Sequence, residues 1–399
     1  MENKNKRVLL HLSLIPGVGP STIINKIIKG LFLQLFPDLL QACLMELIDV
    51  QEQIDFEILY KFTINDFIKK CHLTERLAQA VVDGLIDKNL LIKELDLIEK
   101  HDVVVVSIFE SSYPEILKQI TTPPTVLYCK GAALPVSAKR FSIVGSRKAD
   151  VYASQVITSL VPSLIANGWH IVSGGAEGVD TMAHRATLNV GGQTLVVMGS
   201  GLLHPYPYSN KEFFKEIEQN GGTIISSFSL NTSPDKSTFP ARNRIIAGLS
   251  QGCLVVRAAE RSGALITAQF ALDQGRLVFA VPGSIYDDLS AGCHGLIQQG
   301  AKLVNTVSDI FDEFKEVIAL SSFTPALVAQ QERQSLINDV LSLTSDSDEF
   351  ILHFLSSSRT VDELSLQTGL PLNELLDRLF TMQLNGKVRQ DFAGQWARA

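Results

Sequence analysis

One pattern constrains this chain more than any other. A short apolar run, Phe141–Val144, stops at Gly145-Ser146-Arg147; about twenty residues on, a second run, Trp169–Val172, stops at Ser173-Gly174-Gly175. An amphipathic stretch lies between them, and VDTMAHRA follows the second. Apolar strand, glycine turn and helix, twice over, is the sequence form of a βαβ unit with a parallel sheet. Glycine lets a ligand approach the backbone, and the helix that follows presents free N–H groups and a partial positive charge. Two anion-receptive turns are therefore expected side by side at the carboxyl edge of one sheet.

The pattern continues. Apolar runs begin near Phe141, His170, Thr194, Thr223, Gly252 and Leu277, with helical periodicity at about 152–167, 179–190, 210–219, 241–249 and 263–274. Nearly continuous apolar strands alternating with helices predict an α/β fold, a doubly wound, Rossmann-like, mostly parallel sheet. Such sheets bind ligands beyond the carboxyl ends of their strands. At 399 residues the chain exceeds one core, and it divides into a helical domain over 1–100, the Rossmann-like domain over 101–317, a linker over 318–345 and a last domain over 346–399. In the first, LSLIPGVGPSTIINKII reads as a helix-hairpin-helix (SAM-like) turn that aims amides at a phosphate, or as a capped turn in a small bundle. In the last, Thr360 with Glu363 forms a capping box, Gly369 ends that helix, 372–384 makes a second, and Asn385-Gly386 turns into a hairpin. That is a winged-helix pattern. Its presumed recognition helix carries Glu374 and Asp377 against Arg378, which suits a protein contact or dimer support better than a DNA groove.

Composition narrows the partners. Five scattered cysteines without a CxxC pair argue against a disulfide scaffold or zinc ribbon. The start lacks a signal-peptide pattern and no apolar run reaches bilayer length, so a cytoplasmic protein away from membranes is expected. Net charge is −7, yet residues 136–310 carry 14 Lys/Arg against 12 Asp/Glu. The acidity lies outside the central domain, which leaves a polyanion partner open there.

Every strand end of that domain carries small, polar or basic residues: Gly145, Ser146 and Arg147; Ser173, Gly174 and Gly175; Ser200 and Gly201; Phe239, Arg242, Asn243 and Arg244; Ser262 and Gly263. With neighbouring strands about 4.8 Å apart, these form a track suited to several phosphates in succession. Arg147 reads as a phosphate clamp or a surface ion pair. Arg242 and Arg244, placed at a helix start where cations are disfavoured, make sense beside a bound anion, unless either folds onto an acidic neighbour. Phe239 stacks on a base or belongs to the core, and Lys211 joins the rim or is a solvated helix residue. His184 reads as a hydrogen-bonded structural residue rather than a base. No catalytic constellation, metal-ligand spacing or cofactor motif is evident.

The segments IVGSR (143–147), SGGAEGVDTMAHRATL (173–188), MGSGLLHPYPYSN (198–210), FPARNRIIAGLS (239–250), RSGALITAQFALDQGRLVFAVPG (261–283) and SAGCHGLIQQGA (290–301) resemble the DNA-processing protein A (DprA/Smf) family. The resemblance implies a bacterial protein that binds and protects single-stranded DNA, without catalysis, and brings the RecA recombinase to incoming DNA during natural transformation. It also implies a homodimer formed through the Rossmann-like domains. Three positions depart from that family's pattern, which commonly has arginine at Glu177 and glutamate at Ser227 and Arg257; Arg257 either restores positive charge near the site or pairs with Glu177. The competing reading is a nucleotide-processing enzyme, a phosphoribohydrolase on a related sheet, with Glu177 as acid or base.

Overall fold

The computed structural model describes residues 3–35, 54–148 and 150–322, together with parts of 351–398. The described residues up to Glu313 form one compact unit, and those from Phe314 onward belong to a second. The first unit holds a nine-stranded sheet. Its strands in chain order are β1 Val104–Ser107, β2 Val126–Gly131, β3 Lys139–Val144, β4 Trp169–Ser173, β5 Thr194–Val197, β6 Thr223–Ser226, β7 Gly252–Val255, β8 Leu277–Ala280 and β9 Lys302–Leu303. Across the sheet they run β1-β2-β6-β5-β4-β3-β7-β8-β9. The seven from β6 to β9 are parallel, while β1 and β2 join antiparallel at one edge. Strand order reverses at β3, which pairs β4 on one side and β7 on the other. The crevice beyond β3 and β7 is therefore the topological switch point, where sheets of this class hold ligands.

A helical layer precedes the sheet: α1 Lys4–Leu14, α2 Ile64–Cys71, α3 Glu75–Ile86 and α4 Lys88–Lys100. Pro16-Gly17 makes the expected hairpin turn, with Gly17 at φ +81, and a helical run starts at Pro20. Two side chains fasten this layer to the sheet. Lys6 Nζ meets Glu110 Oε1 at 3.0 Å, and the buried Glu94 carboxylate accepts the amide of Leu230 at 2.7 Å. Burial pushes the Glu94 carboxyl above its ordinary range.

The crossover helices are α5 Val151–Ala166, α6 Val179–Asn189, α7 Lys211–Gln219, α8 Thr238–Gly248, α9 Gly263–Asp273 and α10 Asp288–Gln298. α5 packs on α6 and α8 on α9. The strands are buried almost throughout, as a sheet covered on both faces requires. Phe141 anchors the core, its ring 5.9 Å from Trp169 and 5.5 Å from Phe279. One boundary departs from expectation in a way that matters. α8 begins at Thr238, three residues before the predicted start, because Pro240 sits in the first turn, where its missing N–H has no helical partner to lose. Arg242 is thereby one turn inside the helix.

In the second unit Ile351, Leu355, Leu364, Leu375, Leu379, Met382, Val388 and Trp396 share a core. Strand β10 (Val388–Gln390) pairs antiparallel with β11 (Trp396–Arg398). The Thr360–Glu363 cap, Gly369 and the Glu374, Asp377 and Arg378 side chains lie outside the described residues, as does nearly all of the 318–345 linker.

Candidate nucleic-acid interface

Because β3, β4, β5 and β7 are parallel, their glycine turns gather at one edge. The residues there separate into two layers by what their polar groups already bind.

Most polar groups of the inner layer already bind partners within the fold. Arg242 is 6% exposed. Its Nη1 donates to the carbonyls of Gly174 and, at 2.6 Å, of Val197, tying together the ends of β4 and β5; its Nε donates to Asn243 Oδ1 at 3.0 Å. A Cβ on Gly174 would run into this guanidinium, which is why glycine stands there. Burial lowers the Arg242 pKa to about 10. The expected anion station, Ser173-Gly174-Gly175, is met by a carboxyl group of the fold itself. Asp180, in the first turn of α6, accepts the amides of Gly174 (3.1 Å) and Ala176 (3.3 Å). Burial raises its carboxyl, while the Arg242 charge and these amides favour the carboxylate. The Ser173 hydroxyl donates to Ile143 O at 2.6 Å, and that of Ser200 to His204 O at 2.7 Å. The amide of Gly201 donates to Thr232 O at 2.8 Å, and the carbonyl of Gly175 accepts from Asn210 Nδ2 at 3.0 Å. His184 is fully buried, with Nδ1 2.6 Å from Thr194 Oγ1. Thr194 gives its proton to Ile171 O at 3.0 Å, so His184 donates from Nδ1 and stays neutral. Burial pushes its pKa down to about 3. A structural histidine is what the site contains.

This corrects the sequence reading. Arg242, Ser173, Gly174 and Ser200 were expected to present donors to phosphate; Nε and Nη1 of Arg242, the Ser173 and Ser200 hydroxyls and the Gly174 amide donate within the fold instead. Arg244 also turns away, its Nη1 donating to the carbonyl and hydroxyl of Thr122, and Asn243 bridges to Gly263 O at 3.4 Å. For Arg242 and Ser173 the reason is that the edge must first satisfy its own strand-end carbonyls.

The outer layer is different. Arg147 and Lys148, just past β3, are exposed. The Arg147 guanidinium sits 5.7 Å over the ring of the half-buried Phe239, and the Tyr206 ring, 41% exposed, lies 5.4 Å from that of Phe239. A second cation–aromatic pair follows along the rim, Lys211 Nζ 5.4 Å over Tyr208. Gly145 and Ser146 make the floor beneath Arg147: the Ser146 amide donates to Arg257 O at 2.7 Å, and its carbonyl accepts from Val179 N at 3.2 Å. Gly178, at φ +80, packs on that Ser146 carbonyl where a side chain has no room. On the β7 side, Arg261 and Gly263 are exposed, and Ser262 caps α9 through the amide of Ala264 at 3.3 Å. Tyr206, Tyr208 and Asp180 were not singled out from sequence. HPYPYSN advertises the tyrosines by placing aromatics in a polar, proline-punctuated loop, and Asp180 follows soon after the Gly174 and Ala176 amides it accepts.

The three departures also resolve. Arg257 does not pair with Glu177. It is 3% exposed, binds Asp150 and Asp287 at 2.5 Å each and Ser290 Oγ at 2.8 Å, and so contributes no free charge to the rim. Glu177 is exposed and accepts Ser209 Oγ at 2.6 Å. Ser227 is half-buried directly after β6. Among the described residues no cluster of histidine, cysteine and carboxylates is arranged to hold a metal, and no helix is long and apolar enough to cross a membrane.

A doubly wound α/β sheet, with cations and aromatic rings exposed at its switch point, defines a Rossmann-like protein whose ligand edge suits an extended anion bearing flat groups. Residues 104–315 match the family described as DNA recombination-mediator protein A. The chain is 43% identical over 212 residues to DNA processing protein DprA of Bacillus subtilis (strain 168), covering 53% of this chain and 71% of that protein. It is 34% identical over 276 residues to Protein Smf of Escherichia coli (strain K12), covering 69% and 72%. The X-ray structure of DprA from Streptococcus pneumoniae aligns with a TM-score of 0.62 at 32% identity, over 77% of this chain and 97% of that one. The chain belongs to the DNA recombination-mediator protein A family, whose relatives are DNA-processing proteins.

Proposed function

We propose that this protein binds single-stranded DNA along the outer rim without sequence preference, and that no bond is made or broken there. The observation that carries the reading is the exposed Arg147–Phe239–Tyr206 cluster, a cation and two rings at the switch point. Single-strand binders combine these elements, because every base has a face to stack and every nucleotide a phosphate to neutralise. The hydrogen bonds within the inner layer hold the rim in place before DNA arrives, which reduces the ordering cost of binding. The family's description as a recombination mediator supports delivery of the bound strand to the RecA recombinase, in the cytoplasm, during natural transformation; a homodimer is the proposed working form.

Fluorescence anisotropy with single- and double-stranded oligonucleotides tests the first claim. Single strands are expected to bind tighter, and Arg147→Ala to lose much of that preference. Equal affinity for both forms, unchanged by Arg147→Ala, overturns it. Base release from nucleoside monophosphates, by contrast, would establish the hydrolase reading built on Glu177. Sedimentation of the full chain with and without RecA addresses the assembly.

A further inference from the structure

Tyr208 is three-quarters exposed, and among the described residues its hydroxyl makes no hydrogen bond. Its mounting is rigid. The short turn Tyr208–Asn210 is held by the buried Asn210 side chain, which donates to Gly175 O at 3.0 Å and Thr181 Oγ1 at 2.8 Å. Behind it, Phe213 and Phe214 bury α7 against the sheet. The neighbouring Ser209 donates to Glu177 Oε1 at 2.6 Å, and Lys211 Nζ lies 5.4 Å over the Tyr208 ring. A large ring displayed to water on a fixed turn, with a cation over its face and a carboxylate held by the next residue, is poorly explained by packing. Resting on the single-strand reading above, we propose that Tyr208 is a base-stacking station separate from the Arg147–Phe239–Tyr206 cluster. One nucleobase lies on its ring and the adjoining phosphate meets Lys211. The Glu177 carboxylate repels the backbone from the Ser209 side, so the strand enters with its base, not its phosphate, toward the turn.

The two contributions separate by ligand. Against the full chain, oligo-dT is compared with abasic deoxyribose-phosphate oligomers of the same length. Tyr208→Ala should weaken oligo-dT binding at least about fivefold, the lower end of what one stacked base contributes, and leave abasic binding unchanged. Tyr208→Trp should restore oligo-dT affinity, and Lys211→Gln should weaken both ligands alike. Wild-type affinity of Tyr208→Ala for oligo-dT overturns the station. So does an equal loss on both ligands, which would mark a damaged turn. If Arg147→Ala binds oligo-dT as well as wild type does, the rim reading itself has failed and the station falls with it.

Discussion

Arg147 and Arg242 stand at the same edge of one sheet and do opposite things. Arg242 is locked under the surface by the carbonyls of two strand ends, whereas Arg147 stands in solvent with an aromatic ring beneath it. A parallel sheet ends in rows of backbone groups that its own chain must satisfy before any ligand can use the edge. The inner layer of Ser173, Asp180, Ser200 and Arg242 meets that demand. The outer layer of Arg147, Tyr206, Tyr208, Lys211 and Phe239 is the part of the edge proposed to meet a partner. Polar residues near a switch point are thus not interchangeable evidence of binding; what each already holds decides its role.

The sharpest way to break this division is to truncate one arginine from each layer. Arg242→Ala leaves two carbonyls and the buried Asp180 without their cation, and should cost about 3–5 kcal/mol of stability, read as a lowered denaturation midpoint. A midpoint equal to wild type would return Arg242 to the surface. Arg147→Ala should leave that midpoint within about 0.5 kcal/mol, as surface substitutions do, while single-strand affinity falls about tenfold, the loss of one charged contact.

Acid distinguishes the layers more finely. His184 is neutral in the fold, with its pKa pushed from 6.5 to about 3. Below pH 6.5 the unfolded chain takes up a proton that the folded one refuses, so stability falls as pH drops from 6.5 toward 3. His184→Gln should flatten that part of the stability profile. An unchanged slope would mean that other groups set it. Glu94 predicts the reverse and the smallest effect. Its folded carboxyl is raised, so it holds its proton to higher pH than in the unfolded chain, and stability falls as pH rises above the ordinary value of 4.5. Glu94→Gln should remove that fall in thermal melts between mildly acidic and neutral pH; a steeper fall in the variant would contradict the assignment.

Much of the fold was legible in the sequence for a physical reason. Strands buried on both faces read as unbroken apolar runs, so β3, β4, β5, β6, β7 and β8 all lie within two residues of their expected starts. The edge was legible too, since parallel strands deliver their ends together. Which residues face outward was not. The partners that withdraw Arg242 are 45 and 68 residues away in sequence, and those of Arg257 are 107 and 30 away; no local pattern encodes such pairings. The start of α8 misled as well, because Pro240 looks like a boundary and is instead a first-turn residue.

The exposed rim, not the buried clamp, is proposed to grip a flexible polyanion. It is tested most directly by measuring single-strand affinity against salt for wild type, Arg147→Ala and a folded Arg242→Lys. Arg147→Ala should reduce the slope of log affinity against log salt by about 0.7, one phosphate contact on a single strand, and Arg242→Lys should keep the wild-type slope. A slope untouched by Arg147→Ala but reduced by Arg242→Lys would contradict the account.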